Sequence, residues 1–303
     1  MTGTLLDYLA EYKDVTFREK PFSRVDALVL SNVAYFELKD FVPEDGKAVT
    51  FREMAEDPQI EKCFSNPWFG KSYREMFELM KDSARYGNIR YGYFLEVLDK
   101  KMEVQFGAVT CFLNRQRFLV AFRGTDSTST GWKEDFNYAF LPVMPSQEIA
   151  AAYFEEVASR ETGKIYVAGH SKGGSQAVYA AAMADESLQD RIVRIFSFDG
   201  LGFKRKFFQT PGFVRIRKKI FKVIPEESLI GRLFHIEPVY HIVRSHKKGL
   251  DQHDNLNWII KDGDFLFVRS RARREIEKRT WAPNKMNSWI RSITPEKRKE
   301  FVD

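Results

Sequence analysis

The chain has 303 residues, of which 44% are apolar, 15% aromatic and 30% charged, a balance that suits a globular protein with a sizeable core and excludes disorder as the dominant state. Two cysteines, Cys63 and Cys111, are too few for a disulfide framework or a multi-cysteine zinc site. No run approaches the ~20 apolar residues of a membrane span, and the first residues lack the basic and apolar regions of a secretory leader, so a cytoplasmic location is expected.

The elements follow from periodicity. Leu5–Tyr12 and Asp26–Tyr35 place apolar residues three and four apart, and Phe51–Phe64 and Ser72–Lys81 read as two further helices around the breaker-rich Ser65–Gly70. Residues 1–85 are therefore expected to form a helical N-terminal third. Glu103–Leu113 and Arg117–Phe122 are β-rich runs joined by Asn114–Gln116, a hairpin pattern. Ser146–Arg160 predicts a helix stopping near Gly163, Lys164–Gly169 a short buried strand, Gly174–Ala184 an alanine-rich helix and Arg191–Phe198 another strand. Val239–Arg244 and Asp264–Arg269 predict later strands. Alternating strands and helices make a mostly parallel sheet with helices packed against it, in a single α/β domain over residues 1–303 with a core at 86–270 and a helical tail at 271–303.

The net charge of +6 is uneven, because residues 201–303 carry 24 Lys and Arg against 12 Asp and Glu. The basic stretches Lys204–Lys206, Arg215–Lys222 and Arg269–Arg279 lack the cysteine–histidine spacing or Gly-rich aromatic motifs of nucleic-acid modules, so no nucleic acid is expected. They read first as solvated faces and second as peripheral contacts for an anionic membrane.

Gly169-His-Ser-Lys-Gly-Gly174 is the strongest local signal. It lies between a predicted strand and a predicted helix, where a sharp turn needs glycine on both sides and lifts Ser171 above the positive helix end. A serine in that position is the nucleophile of an α/β-hydrolase, or else merely a helix cap. A serine nucleophile needs a base. Of five histidines, His170 sits beside the serine and reads as a packing residue, while His235 and His241 lie in regular elements. His253, last in the chain and set among polar residues after a strand, is the first choice, with His246 and His241 behind it. The acid that orients the base is Asp199, at the end of the strand after the elbow, or alternatively Glu226 or Glu227. For the oxyanion, the amide of Lys172 and that of Thr125, in the turn Phe122-Arg-Gly-Thr-Asp126, are the expected donors. Asp135 in Trp132-Lys-Glu-Asp135 is placed to brace that turn, and Arg123 to form an ion pair with Asp126 or Asp135.

Val120-Ala-Phe-Arg-Gly-Thr125, the Trp132–Asp135 pair and Gly-His-Ser-x-Gly-Gly together resemble the core of the class 3, fungal-type lipases. The resemblance is closer still to uncharacterised bacterial lipase-like α/β-hydrolases known only as a domain of unknown function, through Val25–Ser31, Phe122–Asp126, Gly131–Asn137, Gly169–Gly174, Ser197–Gly200 and Gln252–Asp254. It implies Ser171 as nucleophile and Thr125 in the oxyanion hole. Two positions depart from the lipases. Their acid usually precedes a Val-Pro pair, where this chain has Lys222, and Lys172 replaces a frequent Leu, adding a cation at the site mouth.

The expectation is a serine esterase acting on a lipid or other acyl substrate through an acyl-enzyme on Ser171, with no metal or organic cofactor. The competing expectation is a hydrolase-fold protein that binds an acyl or anionic ligand, or a protein partner, without turnover.

Overall fold

The order of the strands along the sheet is the order of the strands along the chain, and this decides where the helices go. The computed structural model describes residues 2–67, 69–125, 130–131, 134, 137, 141, 143–237, 239–269, 276 and 285–288. A two-residue strand, β1 (Thr2–Gly3), is followed by β2 (Ala48–Thr50), β3 (Arg90–Asp99), β4 (Val104–Asn114), β5 (Arg117–Phe122), β6 (Lys164–His170), β7 (Ile192–Phe198), β8 (Ile220–Pro225) and β9 (Tyr240–Val243). Strands β2 to β9 lie side by side in that sequence, antiparallel from β2 to β5 and parallel from β5 to β9. Two late strands, β10 (Ile260–Lys261) and β11 (Asp264–Phe265), pair with β1 in a small separate sheet.

Parallel crossovers are right-handed, so an order that never reverses sends every crossover helix to the same face. Accordingly Pro145–Arg160, Lys172–Met183 and Pro211–Ile216 bury their apolar sides with Phe118, Val120, Ile165, Val167 and Ile195 in one cluster. The other face, with Leu119, Ala121, Ala168, Phe196 and Phe198, is covered by the N-terminal helices Leu5–Tyr12, Arg24–Val33 and Gly70–Lys81. The second of these is fixed by a buried ion pair. Arg85 donates to both carboxylate oxygens of Asp26 at 2.7 and 2.6 Å, and the Tyr8 and Tyr86 hydroxyls donate to the same group at 2.9 and 2.6 Å.

Several expectations change. The first 85 residues contain β1 and β2 as well as helices, and Phe51–Phe64 divides into a helix at Phe51–Met54 and a 3-10 turn at Ile60–Phe64. Asp57-Pro58 lies between them, where the residue before proline is kept out of the helical region. Strands β3 and β8 are absent from the elements that periodicity predicts. In β3 the alternation is broken by a bulge between Gly92 and Leu95. In β8 the flanking cations hide a strand whose Lys222 is fully buried. Asp264–Arg269 shortens to β11, and the expected tail at 271–303 lies outside the described residues except for 276 and 285–288.

Candidate active site

The site is assembled at the carboxyl ends of the parallel strands. Strand β6 ends at His170, Ser171 follows with φ 58° and ψ −133°, and the helix Lys172–Met183 starts at once. The turn is that sharp because the backbone closes on itself. A Cβ at Gly169 would lie 2.2 Å from the Gly173 carbonyl oxygen, and one at Gly173 would lie 2.2 Å from that of Phe122. Neither space admits a side chain, which is the physical content of the glycines around the serine. Ser171 thus holds a left-handed conformation at the head of a helix, where the macrodipole favours negative charge.

His253 reaches this serine from the far side of the sequence. Its Nε2 lies 2.9 Å from Ser171 Oγ and its Nδ1 lies 2.7 Å from Asp199 Oδ2. A carboxylate only accepts, so Nδ1 carries the hydrogen and Nε2 presents its lone pair to the serine hydroxyl. Asp199 is fully buried, with φ 47°, directly after β7. Its other oxygen accepts from the Ser228 hydroxyl at 2.5 Å, and its N–H donates to the Val223 carbonyl at 2.7 Å. Ser171 is 9% exposed and the His253 side chain 29%, so the histidine is the most accessible of the three groups and the acid is wholly enclosed.

The remaining candidates have other positions. Glu227 accepts from the Gly249 N–H at 2.5 Å, and its own N–H donates to Gln252 Oε1 at 2.9 Å, so it braces the turn Gly249–His253. Burial raises the Glu226 carboxyl above its usual range, against the pull of Arg244. Neither is the group at His253 Nδ1. Among the other histidines, His241 stacks on Phe221 with ring centroids 4.5 Å apart, and His235 and His246 are exposed. Lys222 donates to the Gly200 carbonyl at 2.7 Å and pairs with Glu237 at 2.7 Å, tying β8 to the turn just after Asp199.

Two residues do more than sequence reasoning assigned them. Lys172 is not a cation at the mouth. It is fully buried, with Nζ 2.6 Å from Glu134 Oε2 and donating to the carbonyl and side-chain oxygens of Gln105 at 2.8 and 2.9 Å. The first residue of the elbow helix is thereby joined to β4 and to the segment containing Glu134. The expected brace, Asp135, and the expected partner Asp126 lie outside the described residues, and Arg123 pairs with Glu96 at 2.5 Å. His170 is not a passive packing residue, because its Nε2 lies 2.8 Å from the His253 carbonyl oxygen and its Nδ1 3.1 Å from the Tyr35 hydroxyl. Burial above all, helped by the charge of His253, pushes its pKa down to about 3, so the ring is neutral.

The turn with Thr125 runs against the elbow. A Cβ at Gly124 would come within 2.7 Å of the His170 carbonyl oxygen and 2.9 Å of Ser171 Cβ. The turn that contains Gly124 thus packs directly against the backbone of the elbow. Among the described residues, no three His, Cys, Asp or Glu side chains group as a metal site.

Residues 80–303 match the model of the Mbeg1-like family. The chain belongs to that family. The matched span of this Mbeg1-like chain contains Ser171, Asp199 and His253, whereas Tyr35 precedes it. No curated protein matches the chain. Among solved structures it is similar to the M37 lipase, with a TM-score of 0.44 and 13% identity over 70% of each chain. The Rhizomucor miehei lipase in its propeptide complex gives a TM-score of 0.39 and 12% identity over 72% of this chain and 75% of that one. The Lip2 lipase of Yarrowia lipolytica gives 0.37 and 9% over 57% and 70%.

Proposed function

We propose that this protein is a serine hydrolase that cleaves carboxylic esters through an acyl-enzyme on Ser171. The observation that carries the reading is the continuous set of hydrogen bonds from Asp199 through His253 to a serine held at the head of a helix. His253 Nε2 takes the Ser171 proton as Oγ attacks the ester carbonyl carbon, and Asp199 stabilises the imidazolium that forms. The oxygen that becomes negative is received by the amides of Lys172 and Thr125. His253 then gives its proton to the departing alcohol. In the second half, water loses a proton to His253 and attacks the acyl carbon, and His253 returns that proton to Ser171 Oγ as the acyl–oxygen bond breaks, which releases the acid and restores the serine.

An acyl or lipid ester is the substrate class we favour, on the strength of the lipase-like motifs around Arg123-Gly-Thr125 and the elbow. The test is labelling with a fluorophosphonate and turnover of a short p-nitrophenyl ester, each compared with Ser171→Ala. Labelling and turnover that vanish in the variant support the reading. A wild-type protein that neither labels nor turns over returns the fold to ligand binding without chemistry.

A further inference from the structure

Tyr35 lies just beyond the helix Arg24–Val33, in the N-terminal part that precedes the family-matched residues. Its hydroxyl meets two of the loops that build the site. It sits 3.1 Å from His170 Nδ1 and 3.2 Å from the His170 carbonyl oxygen, and a Cβ at Gly124 would come 2.3 Å from it. One phenol therefore touches both the end of the elbow strand and the turn before Thr125.

His170 extends that contact to the base. The atom opposite its Nε2 is the main-chain carbonyl oxygen of His253, which can only accept, so Nε2 carries the hydrogen. Nδ1 is then a lone pair, and the Tyr35 hydroxyl is the donor to it. The His170 and His253 rings lie 4.6 Å apart at an interplanar angle of 34°. Only a neutral His170 is compatible with the imidazolium that His253 becomes during turnover.

We infer that Tyr35 and His170 are positioning residues, which hold the His253 main chain and the Gly124–Thr125 turn at fixed distances from Ser171. The N-terminal helical segment, outside the matched span, thereby completes the site. The inference rests on the hydrolase reading for its kinetic consequence but not for its geometry. Tyr35 is in turn held in place because the helix it follows is pinned by the buried Asp26–Arg85 pair.

The variants are His170→Phe, which keeps a ring and removes the donor, His170→Gln, which restores an N–H near the position of Nε2, and Tyr35→Phe. With p-nitrophenyl acetate, kcat should fall on the order of 10²-fold in His170→Phe, the size of loss a misplacement of about 1 Å produces, while KM changes less than about threefold. His170→Gln should recover most of that loss, and Tyr35→Phe should lose several-fold. The low-field proton resonance of His253 Nδ1, bonded to Asp199, should shift or broaden in His170→Phe and return in His170→Gln. Should His170→Phe not fold, Tyr35→Phe and His170→Gln carry the test alone, the first with reduced kcat and the second close to wild type. Folded variants with unchanged kcat and an unchanged resonance overturn the inference. A wild type that fluorophosphonate does not label overturns the hydrolase reading instead, and the resonance still decides whether His170 holds the His253 ring.

Discussion

The two ends of the parallel strands β5 to β8 are built on opposite principles. At the carboxyl ends, charged groups are buried and paired: Asp199 with His253, Lys172 with Glu134, Lys222 with Glu237. At the amino ends, cations are left to solvent on adjacent strands. Arg117 of β5 stands opposite Lys164 of β6, Arg194 of β7 pairs with Tyr166, and exposed Lys218 leads into β8 beside the half-buried Lys219, which donates to the Gln189 carbonyl at 2.6 Å. Neighbouring strands lie only ~4.8 Å apart, so like charges accumulate in a row. A cavity of about 380 Å³ opens on this side, lined by Lys20, Arg24, Arg194, Phe196 and Phe221, with Arg24 held by Asp264. These cations lie at the end of the sheet opposite Ser171. A seven-residue strand such as β6 separates the two ends by about 20 Å. Lys218 and Lys219 do not share the face of the site, and a surface docked through them would leave the serine pointing away.

If the carboxyl end alone carries chemistry, changes there and elsewhere should differ by orders of magnitude. Ser171→Ala and His253→Ala should each lower p-nitrophenyl ester turnover by about 10⁶, as groups that act as a unit do, with near-wild-type thermal unfolding. Initial rates retained in Ser171→Ala would remove the nucleophile from the site. Asp199→Asn should cost about 10⁴ in kcat, because an amide supports the wrong imidazole tautomer. Glu227→Gln should cost far less, and a reversed ranking of the two would move the acid to the turn after β8.

The buried pair behind the elbow is a matter of stability. Lys172→Met should destabilise by about 3–5 kcal/mol in urea unfolding, since it leaves the Glu134 carboxylate buried without its cation. Adding Glu134→Leu should recover most of that loss, and no recovery would mean that the pair is not the cause.

Acid should probe His170. Its folded pKa is lowered from 6.5 to about 3, so below pH 6.5 the unfolded chain takes up a proton that the folded site refuses. Stability contributed by the neutral ring is full above pH 6.5 and falls by at most about 1.4 kcal/mol per pH unit towards pH 3. Burial is the main cause, and the facing groups are His253, Asp199 and Tyr35. In His170→Gln this part of the acid dependence should disappear from the unfolding midpoint measured across that range.

The smallest effect belongs to the amino ends. Charge reversal at Lys218 and Lys219 should leave turnover of a soluble ester within about twofold. It should weaken sedimentation with anionic vesicles at low salt, where each cation near such a surface is worth about 1 kcal/mol. Vesicle binding that is absent at every salt concentration makes this row an ordinary solvated edge.

What could be read from the residues alone was local. The elbow shows in the sequence because its glycines answer a contact between residues four apart, Gly169 and Gly173. Asp199 shows because Asp-Gly closes a run of β-formers. The hydrogen bonds from Ser171 to His253 and from His253 to Asp199 span 82 and 54 residues, and chain order and loop polarity were enough to nominate both partners. Ser228, Glu134 and the supporting role of His170 were not legible. Each depends on what stands opposite in space, and a serine, a glutamate or a histidine reads the same whether it faces water or a buried carbonyl. Lys172 and Lys222 misled for the same reason. Lysine signals solvent in a sequence, and only the facing carboxylates of Glu134 and Glu237 show why both are inside.

The single-sided placement of the crossover helices has a consequence for synthesis. The helix Arg24–Val33 leaves the ribosome before the strands it covers, β5 to β7, which come roughly 85 to 165 residues later, and Arg24 waits for Asp264, 240 residues on. Contacts between such distant segments form slowly and leave sticky surface uncovered in the meantime. Both partners are apolar, the helices through Leu28 and Leu30 and the sheet through Leu119 and Phe198. The nascent chain therefore passes through a stage in which each half exposes the surface meant for the other. A chain begun at residue 80 would remain at that stage, with the sheet face open to aggregation.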